Sequence, residues 1–209
     1  MKQTIRLICL LLFVSGSLFS QNSDKKALKR FRKAKRTEIL KKDRSPLDKR
    51  TVRGLRYFPY AATFQIPARI TRLKNGPVVP FATSSGQRRD YTAYAYLDFE
   101  REGETHRLTV YQLTNASRLP EAYRDHLFLP FNDKTNGDKT YGGGRYIDLR
   151  LADLEGDTLL LDFNRAYNPY CAYTDGYSCP VPPVNNRLEL AIEAGECNFA
   201  ATFKSRTNP

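Results

Sequence analysis

Two stretches of this 209-residue chain concentrate side chains able to hold a ligand or take part in a reaction. The first, PFNDKTNGDKTYGGGRYIDL (Pro130 to Leu149), sets Asp133, Tyr141, Arg145 and Asp148 around an Asn136-Gly137 turn and the run Gly142-Gly143-Gly144. The second, LDFNRAYNPYCAYTDGYSCPVPPVNNRLEL (Leu161 to Leu190), sets Asp162, Asn164, Arg165 and Asn168 at a strand end and the loop after it. Forked guanidinium donors beside glycine N–H groups and tyrosine hydroxyls suit a carboxylate or a phosphate. The candidate ligand-binding residues are therefore Asp133, Tyr141, Arg145, Asp162, Asn164, Arg165 and Asn168, and the expected ligand is small and polar or anionic. The same residue types also serve as scaffold, with Asp162 paired to Arg165, or Asp148 to Arg145, inside a buried turn.

Other chemistries are open at the same place. Asp133 with Asp162 forms a carboxylate pair of the kind that runs acid–base hydrolysis. Cys171 with His126 as base and Asn168 as orienter makes a nucleophile arrangement without any local signature. The glycine run lacks the spacing of a nucleotide loop and no helix follows it, so it marks a crowded turn. The two histidines, His106 and His126, are isolated. No metal centre is expected, and no cofactor is indicated. Cys171 and Cys179 enclose the loop AYTDGYS and are the simplest disulfide pair, which leaves Cys197 over. Closing so short a loop contributes about 2.5 kcal/mol in the chain-entropy account.

These loops must be positioned by short strands. Phe64, Ile66, Ala68 and Ile70 alternate with polar residues before the Asn75-Gly76-Pro77 turn, and Val78-Val79 follows. Tyr91, Ala93, Ala95, Leu97 and Phe99 fall on one face of a run that Glu102-Gly103 turns back into Arg107 to Leu113. His126 to Phe131, Gly144 to Leu149, Leu159 to Phe163 and Leu188 to Ile192 complete the candidates. Seven or eight short strands without a long amphipathic helix between them predict a mainly β fold, a single antiparallel barrel or sandwich-like domain behind a basic N-terminal helix. Residues 51–209 suffice for one core that buries about 70% of the unfolded surface.

The N-terminal part reads differently. Residues 1–21 combine Lys2 and Arg6, an apolar run from Leu7 to Phe19, and small or polar residues at the end, the layout of an export signal peptide. That run is short for a membrane span of roughly 20 residues. Residues 22–50 form a basic arm, expected as a helix capped at Ser23 or Asp24 and stopped by Ser45-Pro46. They hold 13 Lys and Arg against four acids, so most of the formal charge of +12 sits there, while residues 51–209 carry 19 against 18. The arm is expected to pack its narrow stripe of Leu28, Phe31, Ala34, Ile39 and Leu40 on the domain, or else to contact an anionic envelope surface. Nucleic acid is not an expected partner of an exported chain, and no transmembrane segment remains once the leader is removed. The expected product is a soluble protein, periplasmic or secreted.

The motifs as a set resemble the bacterial and archaeal family of domain of unknown function number 1684. The resemblance rests on Phe58 to Tyr60 (FPY), LPFNDKTNGDKTYGGGRYIDL, LDFNRAYNPYCAY, CPVPPVNNRL and Ala194 to Glu196 (AGE). It covers most of the chain from the basic helix, including Ser45 to Leu47 (SPL), to Glu196, and implies no catalytic or ligand-binding assignment. It also sets a basic residue where this chain has Cys197, so a bridge to that cysteine is not implied.

Overall fold

The computed structural model describes residues 2–200, with side chains described from Asn22 onward except Ala122. A helix, α1 (Lys2–Lys41), precedes seven strands: β1 (Gln65–Arg72), β2 (Val78–Ala82), β3 (Arg88–Arg101), β4 (Glu104–Leu113), β5 (His126–Phe131), β6 (Arg145–Arg150) and β7 (Thr158–Asp162). All strand pairs are antiparallel, in the order β6-β5-β4-β3-β1-β7 with β2 beside β3, and the sheet curves as a half-barrel. The fold class is the expected one, mainly antiparallel β behind an N-terminal helix. The edge strand β6 does not stay bare. After β7 the chain makes a 3-10 turn and returns, so that Tyr146 and Tyr167 exchange both backbone hydrogen bonds at 2.9 Å.

One face of the sheet holds the main core. Ala95, Leu97, Phe99, Leu108, Val110, Leu127, Leu129, Phe131, Ile147 and Leu161 are buried there, each large side chain contributing about 1.5–3 kcal/mol. The second layer over this face is the C-terminal segment. Leu188 to Ile192, expected as a strand, forms no ladder, yet Leu188, Leu190, Ile192 and Ala194 still alternate into the core. Isolated bonds tie the segment down, Leu188 N–H to Asn132 C=O and Lys134 N–H to Leu190 C=O, both 2.8 Å. Strands β4 and β5 pair only at Tyr111–Phe128. The buried Asn186 amide fills the gap beside them. It accepts from Thr109 N–H at 2.8 Å and donates to Thr109 C=O at 2.8 Å and Pro130 C=O at 2.7 Å, which satisfies backbone groups that would otherwise be orphaned in the core.

The opposite face carries an aromatic cluster of Phe81, Tyr91, Tyr111, Phe128 and Tyr146. Here the expected single face of β3 is corrected. The pairing with β4 slips between Ala93, opposite Tyr111, and Ala95, opposite Val110. One extra residue in β3 turns the strand over, so Tyr91 and Ala93 join the aromatic face while Ala95, Leu97 and Phe99 join the core.

Helix α1 lies over that aromatic face. Leu28 and Ile39 are buried, as the packed-stripe reading requires, and Leu40 is exposed. Ser23 and Asp24 sit inside the helix rather than at its start, and it ends at Lys41, ahead of Ser45-Pro46. Arg32 and Arg36 anchor it to the carbonyls of Phe58 and Leu55, each at 3.2 Å. The leader expected at residues 1–21 falls outside the described side chains. Among the described residues no helix is long and apolar enough to cross a membrane. Cys171 and Cys179 form a disulfide with Cα atoms 6.4 Å apart, and Cys197 is free.

Candidate functional site

Strand alternation decides where the two guanidinium groups go. On β6, Arg145, Ile147 and Leu149 point into the core while Tyr146 and Asp148 point to the aromatic face. Arg145 and Asp148 are therefore on opposite sides of the sheet and cannot pair. Arg145 is fully buried and donates to Asp133 Oδ2 at 2.8 Å, to Ile192 C=O at 2.8 Å and to the carbonyls of Ala194 and Glu196. Asp133 in turn accepts from the Thr135 hydroxyl and N–H and from Ile192 N–H. The pair sews the β5–β6 connection to the C-terminal layer and touches no open space. Gly144, beside it, has φ +86° and Phe131, Asn132 and Pro182 within 3 Å of where a Cβ would stand. That is the crowded turn expected of the glycine run.

The second stretch divides. Asp162 caps the 3-10 turn after β7, accepting from Asn164 N–H at 3.0 Å and Asn164 Nδ2 at 2.8 Å. Arg165 Nε lies 3.4 Å from Asp162, the pairing foreseen from sequence, and its guanidinium stands over the Phe31 ring of α1 at 5.3 Å. Asn164 also clamps residue 61, exchanging two 3.0 Å bonds with its backbone. Tyr141 packs beside Ala172 and Tyr173.

Between α1 and the aromatic face lies a cavity of about 730 Å³. Of the seven candidate residues it takes in Asn164, Arg165 and Asn168, whereas Asp133, Tyr141, Arg145 and Asp162 lie elsewhere. Ten aromatic rings line it, eight of them tyrosines, together with six Lys or Arg against three acids. Half of those six cations, Arg32, Lys35 and Lys42, come from α1.

Two of the acids, Asp148 and Glu196, are the residues that sequence reasoning undervalued. Asp148 meets Lys35 Nζ at 2.8 Å, His126 Nε2 at 3.0 Å and the Tyr167 hydroxyl at 2.7 Å. Burial pushes its carboxyl up, but the His126 hydrogen bond, the Lys35 ammonium and the Tyr167 hydroxyl outweigh that and hold it well below the usual carboxylate range. Lys35 is correspondingly raised, burial being outweighed by Asp148. Glu196 accepts from Tyr173 O–H at 2.7 Å, Asn168 Nδ2 at 3.1 Å and Asn168 N–H at 3.4 Å. Burial pushes it up to about 7, against the lowering effect of those hydrogen bonds and of Arg145. The nucleophile arrangement does not form: Cys171 is in the disulfide and His126 is bonded to Asp148.

The family described as "Protein of unknown function (DUF1684)" matches residues 50–197. The chain belongs to this family. The DUF1684 span contains the whole sheet and the Asp148 and Glu196 corners, and begins after α1, so the cations of the cavity roof lie outside it. Among solved structures, the uncharacterized protein from gene locus rrnAC0354 of Haloarcula marismortui, determined by solution NMR, is similar over 85% of this chain and 96% of that one, with 34% identity and a TM-score of 0.65. No curated protein matches the chain. The alternation of β6 was the one signal that separated Asp148 from Arg145. Nothing local marked Lys35 as the partner of a residue 113 positions away.

Proposed function

We propose that this DUF1684 protein is an exported binding protein whose cavity takes a small organic anion with a flat or apolar body. The observation that carries the reading is the composition of the cavity wall, with a two-to-one excess of Lys and Arg over acids set among ten aromatic rings. Aromatic faces contribute area for the flat body, while the excess of Lys and Arg in the wall favours an anion over a neutral molecule of the same shape. Arg165 and Asn168 belong to this site. Arg145 and Asp133 support it from the other side of the sheet. Export is supported by the leader-like pattern of residues 1–21 and by the Cys171–Cys179 disulfide.

A hydrolase built on Asp162 or Asp133 draws no support from the geometry, because one caps a turn and the other neutralises a buried guanidinium. The exposed Lys26, Lys29, Arg30 and Lys33 of α1 support a secondary contact with an anionic envelope surface.

Isothermal titration calorimetry with 2-naphthalenesulfonate, a permanent flat anion, tests the binding reading against neutral 2-naphthol. The expected result is a Kd below about 1 mM for the anion and at least a roughly tenfold weaker one for the naphthol. Equal affinities, or none for the anion, would sink it.

A further inference from the structure

Glu196 is an unusual wall for an anion site. It is 2% exposed and lines the cavity, yet among the described residues no cation forms a salt bridge with its carboxylate. Its three hydrogen bonds come from neutral donors, Tyr173 O–H and two groups of Asn168. Arg145 reaches only the backbone oxygen of Glu196, at 3.3 Å. Arg32 spends its guanidinium on the face of Tyr57, 4.4 Å away, and on Phe58 C=O. Asn168 Oδ1, beside the carboxyl, is buried with no hydrogen-bond partner. A buried carboxylate without a counter-ion is costly, whereas the neutral acid is not. The acid also adds an O–H donor next to Asn168.

Building on the anion-binding reading above, we propose that the Glu196 end of the cavity is a proton-linked seat for the acid group of an organic monoanion, with Glu196 carrying the proton and the ligand carrying the charge. The exchange conserves charge. Where Glu196 starts ionised, one proton enters with each anion, so the net charge beside Arg32 and Arg145 is the same in both states. An ionised Glu196 beside the ligand would instead place two like charges in one desolvated corner.

The groups that face Glu196 come from four parts of the chain. They are Arg32 from α1, Tyr57 ahead of β1, Arg145 from β6, and Asn168, Tyr173 and Cys197 from the C-terminal loops. Burial pushes Tyr57 up to about 12, and burial also raises Tyr173 and Cys197. Glu196, pushed up to about 7, is thus the group in this corner that exchanges a proton near neutrality. His126 lines another part of the cavity wall and needs its own control.

The test measures 2-naphthalenesulfonate binding by calorimetry across pH 5.5 to 8.5, in two buffers of different ionisation enthalpy. The sulfonate does not titrate in this range, so any proton taken up belongs to the protein. Affinity is expected to be flat at the acid end and to fall by up to about tenfold per pH unit above neutrality, following the fraction of protonated Glu196. Proton uptake in the wild type should approach one per ligand at the alkaline end. Glu196→Gln should bind with no pH slope, and His126→Gln should keep the slope whatever it does to affinity at a single pH. Binding without proton uptake overturns the linkage and leaves the anion reading standing. A slope that survives in Glu196→Gln overturns the assignment to Glu196. Absence of binding at every pH overturns both readings. If Glu196→Gln fails to fold, wild-type proton uptake that persists in His126→Gln supports the assignment, and uptake lost in His126→Gln overturns it.

Discussion

Asp148 and Glu196 are carboxyl groups on the wall of one cavity, both largely desolvated, and they are driven in opposite directions. Asp148 is held down because its oxygens meet an ammonium, an imidazole and a phenol. Glu196 is driven up by burial, which the neutral donors that bond it and the Arg145 guanidinium only partly offset. Burial penalises charge in both corners, and the direction each carboxyl takes is set by whether its hydrogen bonds and cationic neighbours outweigh that penalty. One corner is a fixed ion pair that fastens α1 to the sheet. The other keeps a carboxyl ready to gain or lose a proton. The Asp133–Arg145 pair on the far side of the sheet extends the comparison to complete burial, with both side chains 0% exposed and the pair closed on itself.

The largest expected effect comes from that closed pair. Asp133→Ala leaves Arg145 as an uncompensated buried charge, and removing one partner of a buried ion pair costs about 3–5 kcal/mol. Urea denaturation should show a loss of this size. The surviving folded fraction should still bind naphthalenesulfonate, since neither residue lines the cavity. A loss below about 1 kcal/mol would place the pair with weakly coupled surface contacts instead.

The next effect is a contrast in pH dependence. A carboxyl whose folded value is raised contributes stability that is complete below its unfolded value and lost as pH rises through the folded one. Glu196, raised to about 7 from 4.5, should make the wild type lose stability relative to Glu196→Gln between about pH 4.5 and 7, by up to about 3 kcal/mol. Asp148 works the other way. Its folded value is depressed, so its contribution is present above about pH 4 and lost as pH falls below that. Asp148→Asn should therefore flatten the acid limb and cost about 1.5 kcal/mol at neutral pH, a charged hydrogen bond being exchanged for neutral ones. Denaturation curves of the three proteins from about pH 2 to 8 should show slopes of opposite sign for the two carboxyls. Two slopes of the same sign would remove the distinction between the corners.

How far these corners were legible follows from the range of the interactions that build them. The β3–β4 hairpin was readable because alternation and turn residues act locally, strand β5 because its short apolar run sits between turn-rich loops, and the Cys171–Cys179 bridge because it closes so short a loop. The bulge in β3 was hidden because Tyr91 to Phe99 alternates without a break, and only the register against β4 shows the turnover at Tyr94. Leu188 to Ile192 mimicked a strand because any extended backbone packed on a core alternates, with or without a ladder. Partition of charge by segment set the basic arm apart from the candidate loops. Its Arg32, Lys35 and Lys42 in fact complete the cavity that Arg165 and Asn168 enter. The helix packs Leu28 and Ile39 on the domain, as its thin apolar stripe foretold, and what the stripe did not show is that its cations then roof a cavity.

The smallest effect on stability is expected at Arg165, where the comparison turns from structure to binding. Its side chain is 50% exposed, its bond to Asp162 is 3.4 Å, and its guanidinium lies over Phe31 at the cavity wall. Arg165→Lys keeps the charge but removes the planar fork and its stacking, and an exposed pair of this kind changes stability by less than about 0.5 kcal/mol. If Arg165 belongs to the site, naphthalenesulfonate affinity should still fall roughly fivefold, since lost stacking and forked donation together amount to about 1 kcal/mol. Thermal denaturation and calorimetry on one preparation separate the outcomes. A drop in melting temperature with unchanged affinity per folded molecule makes Arg165 part of the scaffold, beside Asp162, and moves the working end of the cavity wholly to the Lys35 and Glu196 corners.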